Sequence, residues 1–126
     1  MMSAAEWEPR VLSILRIVVG LMFLEHGLAK LTGFPSASLH AAPFQLLWFA
    51  SIIELVGGAL LAVGFFTRCV AFIMSGEMAI GYFMAHFPKS FFPLANGGDA
   101  AVLYCFIFFY IFVAGGGCWS VDQLRR

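Results

Sequence analysis

Apolar residues fall into four long runs along this chain, separated by shorter segments rich in polar and turn-forming residues. The runs cover about residues 11–31, 46–66, 69–87 and 100–119. Each is close to the ~20 residues with which an α-helix crosses the hydrocarbon core of a bilayer, and each is longer than an alternating barrel strand. A helix satisfies its backbone groups within one segment, as lipid surroundings require. The pattern predicts an all-α integral membrane protein, a four-helix transmembrane bundle that forms a single domain over residues 1–126.

The composition supports a surface that faces lipid. Of the 126 residues, 62% are hydrophobic and 11% are charged, whereas an ordinary soluble domain is ~45–50% apolar and ~25% charged. Seven basic and seven acidic side chains give a formal net charge of zero. The charge therefore does not favour nucleic acid as a partner, and the lipid bilayer is the expected one. The three cysteines are isolated from one another in the sequence and lack the paired spacing of a disulfide framework. They are expected to pack as small apolar side chains.

The connections between the runs predict how the helices follow one another. Residues 32–44 and 88–99 are loops rich in turn-forming and small residues. Only Thr67 and Arg68 separate the second and third runs, which predicts a tight antiparallel hairpin. Asn96 or Asp99 is expected to cap the fourth helix, because the first amides of a helix lack partners within it.

Basic residues near the ends of the runs predict the orientation of the chain. Four arginines flank the runs on the side of the two termini, and two lysines flank the other side: Arg10, Arg68, Arg125 and Arg126 against Lys30 and Lys89. The positive-inside rule then places both termini in the cytoplasm. The acidic Glu6 and Glu8 precede the first run and no small-residue cleavage site follows it, so the run is expected to stay as an anchor.

Ionisable side chains interrupt the first run on two different faces of the predicted helix. At ~100° per residue, one arc contains the following side chains: Arg16, Gly20, Phe23, His26, Gly27 and Lys30. Glycines let membrane helices approach closely, so this face is expected to point into the bundle. Glu25 points roughly opposite Arg16 and is expected to be solvated at the interface or to lie in a subunit contact.

Two glutamates lie well inside the second and third runs. Glu54 shares its face with a group of small residues that includes Gly57 and Gly58, and Glu77 lies beside Gly81. An ionised side chain at the centre of a membrane helix costs about 2.5–3.5 kcal/mol, so we expect at least one direct ion pair between Arg16 and a glutamate. Two interpretations stay open: these residues lock the helices together, or they bind a ligand and handle protons.

The histidines do not indicate a metal or haem site. His26 and His86 lie toward the same end of their runs, and His40 lies in the loop on that side. Their spacing matches neither a zinc motif nor a local bis-histidine haem motif. The chain also lacks a flavin or dinucleotide fingerprint and a cysteine set for an iron–sulfur cluster. No metal, haem or flavin is therefore expected.

Several motifs in register resemble the DoxX family of small bacterial membrane proteins. The motifs are the ordered set Arg16, Gly20, His26, Gly27 and Lys30, then ELVGGALLAVGFFTR (54–68), SGEMAIGYFMAH (75–86), NGGD (96–99) and WSVD (119–122). They cover nearly the whole chain. Two positions depart from the family pattern: Asp99 stands where Glu is expected, and Cys118 where Pro is expected.

The resemblance implies a four-helix protein of the bacterial cytoplasmic (inner) membrane. The family takes its name from a subunit of a thiosulfate:quinone oxidoreductase, so the chain is expected to be a small subunit of, or accessory to, a quinone-linked oxidoreductase. A larger membrane oxidoreductase complex or a homo-oligomer is the expected assembly. A non-catalytic scaffold or a lipid- or quinone-binding accessory protein is the alternative, and solute transport a weaker third. Whether the chain is itself an enzyme stays open.

In a quinone-linked protein the buried polar residues have natural roles. A quinone is the expected ligand, and its expected hydrogen-bond donors are Arg16, His26 and Lys30. The candidate catalytic residues, which carry protons, are His26, Glu54 and Glu77. His26, Lys30 and Glu54 are expected to line one pocket at the mouth of the bundle. The alternatives are that a backbone carbonyl satisfies His26 and that Lys30 extends to the lipid headgroups.

Overall fold

The computed structural model describes residues 1–35, 41 and 43–125, and within these ranges the secondary structure is helical with no strand. The helices are α1 (Ala4–Thr32), α2 (Leu46–Val63), α3 (Thr67–Gly81), α4 (Pro93–Asn96), α5 (Asp99–Ala114) and α6 (Val121–Leu124). A π-helical segment (Tyr82–His86) and a 3-10 turn (Phe87–Lys89) extend α3. The predictions made for His40 and Arg126 lie outside the described residues.

All four apolar runs form helices, and the largest differences from the predicted boundaries are at the start of the first and the end of the fourth. The first helix starts before residue 11, because Ser3 and Glu6 form a capping box that begins α1 at Ala4. The fourth ends at Ala114 and not near residue 119, because Gly115 has a φ of 87° and leaves the helical conformation. Residues 115–120 instead form a turn that folds back onto α1.

Three helical segments are long and apolar enough to cross a membrane: Ala4–Thr32, Leu46–Val63 and Thr67–Lys89. The apolar helix α5 is shorter, at 16 residues. Large apolar side chains are exposed on the outside of all four helices, for example Val18, Val56, Ile73 and Phe106. Such a surface is unstable in water and matches a lipid environment.

The link between α2 and α3 is tight, as predicted, but Thr67 and Arg68 do not form it, because α2 ends at Val63 and α3 begins at Thr67. Gly64, Phe65 and Phe66 connect the two helices, with left-handed backbone at Gly64 and Phe66. The predicted cap of the last long helix is wrong. Gly98 precedes α5 without a side-chain cap, and Asp99 is already its first residue. Asn96 instead stabilises the preceding loop, because its side chain accepts from the Gly98 amide (2.8 Å) and donates to Ser90 O (2.9 Å).

The closest helix–helix contact is between α1 and α2, and glycines form it. A Cβ on Gly27 would lie 2.5 Å from Leu55 N, and one on Gly58 would lie 2.5 Å from Leu24 N. Only hydrogen atoms at these positions permit such an approach. The second extensive contact joins α3 to α5. An apolar core lies between the two helix pairs and comprises Val19, Phe23, Leu61, Val70, Ala71, Met74, Phe108 and Ile111.

Candidate functional site

A buried ion pair joins α1 to α2. Lys30 Nζ donates a hydrogen bond to Glu54 Oε2 over 2.6 Å, and the two side chains are 14% and 1% exposed. Gly27, one turn before Lys30, rests on the α2 backbone at Ser51 and Leu55, which flank Glu54. The close approach at Gly27 therefore brings the end of α1 near enough for Lys30 to reach the carboxylate.

Glu77 of α3 adds a second carboxyl group to this pair. It lies within electrostatic range of both Glu54 and Lys30. Both Glu77 carboxyl oxygens and Oε1 of Glu54 are buried and accept no hydrogen bond from an N–H or O–H donor among the described residues, but the carboxyl groups of Glu54 and Glu77 are close enough to share a proton. One ammonium group thus faces two carboxyl groups with three unpaired oxygens. Buried polar atoms require partners, so this arrangement is suited to a shared proton or to a ligand that donates hydrogen bonds.

Arg16 lies elsewhere, and the predicted ion pair between Arg16 and a glutamate is wrong. The guanidinium is 1% exposed, and its partners are backbone carbonyl groups. Nε donates to Leu61 O (2.8 Å), Nη2 to Trp119 O (2.7 Å) and Ala62 O (3.4 Å), and Nη1 to Gly116 O. Arg16 is 14 residues from Lys30, or about 21 Å along the helix. The structure does not bring these two predicted ligand donors together.

The described partners of His26 do not include Lys30 or Glu54. Its Nδ1–H donates to Met22 O of the preceding turn over 2.7 Å, since a carbonyl can only accept. The ring stacks on Phe23, with centroids 5.6 Å apart, and meets the edge of Tyr104 at 6.2 Å. His26 thus faces an aromatic cluster between α1 and α5, with a backbone carbonyl as its partner.

His86 contacts a different part of the chain. Its Nδ1–H donates to Asn96 O over 3.1 Å, and its ring lies beside Tyr82. Asn96 in turn donates to the Tyr82 hydroxyl over 3.0 Å. These contacts hold the loop before α5 against the π-helical segment. Within residues 1–35, 41 and 43–125, no group of three or more His, Cys, Asp or Glu side chains is placed to hold a metal ion.

A second polar network lies at the end of the bundle where the start of α1 meets the C-terminal segment, and it was not predicted. The Ser13 hydroxyl donates to Gly116 O (3.1 Å) and accepts from Trp119 N (3.0 Å). Asp122 accepts from the amides of Phe66 and Thr67, each over 2.9 Å, and so caps α3. Hydropathy does not reveal these contacts, because the residues that they join are more than 50 positions apart along the chain.

The cap changes the acidity of Asp122. Partial burial alone would raise its pKa, but the hydrogen bonds from Thr67 and Phe66 and the charge of Arg125 outweigh burial. The pKa of Asp122 is therefore held below its ordinary value. The carboxylate stays ionised near neutral pH, where it stabilises the start of α3.

Neither of two cavities that open on the described part of the bundle is lined by Lys30 or Glu54. One, of about 720 Å³, lies at the terminal end beside Thr67, Arg68 and the turn after α5. The other, of about 290 Å³, is a wholly apolar groove between α2 and α3. Of the three residues expected in one pocket, Lys30 and Glu54 are in contact, with Glu77 close to them, whereas His26 has other partners.

Comparisons with known proteins agree with the motifs. The DoxX family model matches residues 11–87, more than half of the chain. An uncharacterized protein of Haemophilus influenzae is 42% identical over 129 residues, which cover 98% of this chain and 96% of that protein. No solved structure matches. The chain belongs to the DoxX family, as its sequence motifs predicted.

Proposed function

We propose that this protein spans the bacterial cytoplasmic membrane with four helices and binds the head of a quinone at Lys30, Glu54 and Glu77. In this role it is a small subunit of, or accessory to, a quinone-linked oxidoreductase. The observation that carries the proposal is the buried Lys30–Glu54 pair with unpaired carboxyl oxygens beside it. Ionisable groups inside apolar helices are costly and are typical of ligand and proton sites.

The exposed apolar surface supports insertion into a bilayer, and the distribution of arginines supports the orientation. The start of α1, the α2–α3 link and the C-terminal segment lie at one end, where Arg68 contacts Gly115 and Arg125 lies over the Phe65 ring. This end is the cytoplasmic one in the proposal. Reporter fusions at the C-terminus test it: a periplasmic reporter active there would overturn the orientation.

The chemistry of a quinone fits the donors and acceptors of the site. The Lys30 ammonium donates to a quinone carbonyl, whereas the hydroxyl groups of the reduced quinol donate to the unpaired oxygens of Glu54 and Glu77. Reduction of a quinone to a quinol takes two electrons and two protons. In the proposal the carboxyl groups deliver the protons, and a partner protein of the complex supplies the electrons. His26, one turn before Lys30, is proposed as the proton shuttle toward the headgroup region.

Quinone binding by purified protein in lipid nanodiscs tests the proposal. Lys30→Met and Glu77→Gln should each weaken binding by about tenfold or more, because each removes a charged partner of the quinone head. Glu25→Gln is the control, since Glu25 is exposed on the opposite face of α1. The proposal fails if the wild type binds no quinone, or if the three variants bind it equally well.

A non-catalytic scaffold is the second candidate, favoured by the direct contact of Lys30 with Glu54. In this case the pair only holds α1 against α2. The double variant Lys30→Met/Glu54→Gln separates the two roles, because it removes both charges of the pair and leaves no unpaired charge between α1 and α2. A scaffold retains its partner proteins in this variant, whereas a quinone site loses its ligand.

A further inference from the structure

The segment between the π-helical end of α3 and the start of α5 carries large apolar side chains on its outside. This segment, residues 87–98, includes the short helix α4 and is called the aromatic loop below. Phe91, Phe92 and Leu94 are 71%, 66% and 86% exposed, and Lys89 is the only charged residue of the loop. A contiguous apolar surface of this kind indicates contact with something other than water.

The exposed rings of the loop continue the outer surface of α3. The ring centroids of Phe83 and Phe87 are 5.5 Å apart, those of Phe87 and Phe91 are 6.0 Å apart, and those of Phe91 and Phe92 are 5.4 Å apart. Ile80, just before Phe83 on α3, is exposed as well. The row of rings is therefore continuous with the apolar helix surface that matches a lipid environment.

Asn96 satisfies backbone groups inside the loop. Its side chain donates to Ser90 O over 2.9 Å and accepts from the Gly98 amide over 2.8 Å. Pro88 and Pro93 have no N–H group that needs an acceptor. Backbone groups without a partner are costly away from water, so these features favour a loop that lies in lipid.

The length of α5 indicates that its flanking segments also lie in the bilayer. Its 16 residues extend over about 24 Å, whereas the hydrocarbon core is ~30 Å thick. The aromatic loop leads directly into α5 at Asp99. Immersion of the loop would supply part of the depth that the helix lacks.

We infer that the aromatic loop is itself immersed in the membrane and binds lipids of the leaflet opposite the two termini. Phe91, Phe92 and Leu94 lie at the boundary between acyl chains and headgroups, a level that aromatic side chains favour, and the long side chain of Lys89 extends toward the headgroup phosphates. The inference rests on the proposed insertion of the bundle in a bilayer but not on quinone binding. A failure of quinone binding alone leaves it unchanged.

Photo-crosslinking of the full chain in bacterial membranes tests the inference. Benzoylphenylalanine, a photoreactive analogue of phenylalanine, replaces one residue at a time, and Phe91 and Leu94 are the two loop positions. Phe106, exposed on α5, is the lipid-facing control, and Ala5, exposed in the first turn of α1, is the water-facing control. Mass spectrometry of the purified product distinguishes a lipid adduct from a crosslink to a second copy or to another protein.

Positions 91 and 94 should each give lipid adducts in a yield close to that of position 106. This yield should exceed that of position 5 by about tenfold or more, because side chains at the boundary stay in contact with acyl chains. Two loop positions are used so that the result does not depend on the folding of one variant.

Asn96→Ala should lower the yield of lipid adducts at both loop positions several-fold. Without the Asn96 side chain, Ser90 O and the Gly98 amide lose their partner and the loop has to move toward water to hydrate them. Lys89→Gln is the matched control, since it removes a charge of the loop but none of the hydrogen bonds of Asn96. It should leave the yield unchanged.

The possible results separate the failure of the inference from the failure of membrane insertion. Crosslinks from positions 91 and 94 to a protein in place of lipid would make the loop a protein interface and overturn the inference. A yield at both positions no higher than at position 5 would overturn it too. Absence of lipid adducts at position 106 as well would mean that the bundle is not in the bilayer, and the proposed function would fail with the inference. Equal yields in Asn96→Ala and Lys89→Gln would overturn the role of Asn96.

Discussion

Lys30 and Glu54 form a 2.6 Å ion pair that links the last turn of α1 to the middle of α2. The pair exists because Gly27 allows the two backbones to approach, and Glu54 is almost completely buried. A buried carboxylate depends on its partner more strongly than an exposed one does, because the attraction replaces lost hydration. The stability of the α1–α2 contact and the chemistry of the proposed site thus depend on the same two side chains.

Removal of one member of this pair should destabilise the protein more than removal of both. Lys30→Met leaves the Glu54 carboxylate buried without its cation, and a loss of about 3–5 kcal/mol in the free energy of unfolding is expected. Lys30→Met/Glu54→Gln should recover part of this loss, because no unpaired charge remains. Thermal unfolding of purified protein in detergent measures both variants, with Glu25→Gln as the exposed control. A double variant less stable than Lys30→Met would contradict the prediction.

Replacement of Arg16 should lower the stability of the protein, and a second substitution at a glutamate should not restore it. Arg16→Met removes the guanidinium hydrogen bonds to Leu61 O at the end of α2 and to Trp119 O in the turn after α5, and Leu61 O keeps only its bond from Gly64 N. Because Glu54 forms its ion pair with Lys30 and not with Arg16, the effects of Arg16→Met and Glu54→Gln should be additive within about 0.5 kcal/mol. Recovery of stability in Arg16→Met/Glu54→Gln would show that the two groups interact.

Arg16→Lys should not restore the stability lost in Arg16→Met. The guanidinium donates from three nitrogens in a fixed plane to carbonyl groups of two separate segments, whereas an ammonium group is a single point donor. The expected readout is a melting temperature for Arg16→Lys close to that of Arg16→Met. A melting temperature equal to wild type would mean that the charge alone is sufficient.

Addition of one methyl group at Gly27 should separate α1 from α2. A Cβ there would lie 2.5 Å from Leu55 N and 2.7 Å from Ser51 O, and backbone atoms cannot move aside as a flexible side chain does. Gly27→Ala should therefore cost about 1–3 kcal/mol and weaken the Lys30–Glu54 contact. Gly76→Ala is the matched control: its Cβ has open space, and the better helix propensity of Ala should stabilise α3 slightly. Equal stability of the two variants would exclude a close α1–α2 contact.

Helical periodicity predicted the α1 face correctly but not the partners of its side chains. The spacing of Gly27 and Lys30 placed both residues toward the bundle, and Lys30 meets Glu54 there. Arg16 shares that face, yet its partners depend on where other segments end. Gly64 ends α2 and Gly115 ends α5, and these ends expose the carbonyl groups that Arg16 binds. A hydropathy pattern does not contain that information.

Side-chain hydrogen bonds to the nearby backbone account for the remaining differences. His26 was expected in a pocket with Lys30, but the carbonyl of Met22, four residues earlier, is always within its reach in a helix. Asn96 was expected to cap a helix, but it stabilises a loop through Gly98 and Ser90. Such local partners compete with long-range ones, and the sequence alone does not decide between them.

Asp122 should contribute to stability near neutral pH and lose that contribution in acid. Its pKa is lower in the folded protein than its ordinary value of about 3.9, because the amides of Phe66 and Thr67 donate to the carboxylate. A lowered pKa means that the stabilisation is complete above the ordinary pKa and disappears as the pH falls through the folded one. Asp122→Ala should therefore cost about 1 kcal/mol at neutral pH and progressively less below pH ~4.

Asp122→Asn separates the charge of this cap from its hydrogen bonds. The amide oxygen still accepts one hydrogen bond from the start of α3 but does not titrate, so its penalty relative to wild type should be smaller and should come only from the lost charge. In acid, where the wild-type carboxyl group is protonated, Asp122→Asn and wild type should reach the same melting temperature. The measurement is the difference in melting temperature between each variant and wild type across the pH series. If the Asp122→Ala penalty stays constant down to the lowest pH at which the protein is folded, the α3 cap does not depend on an ionised Asp122.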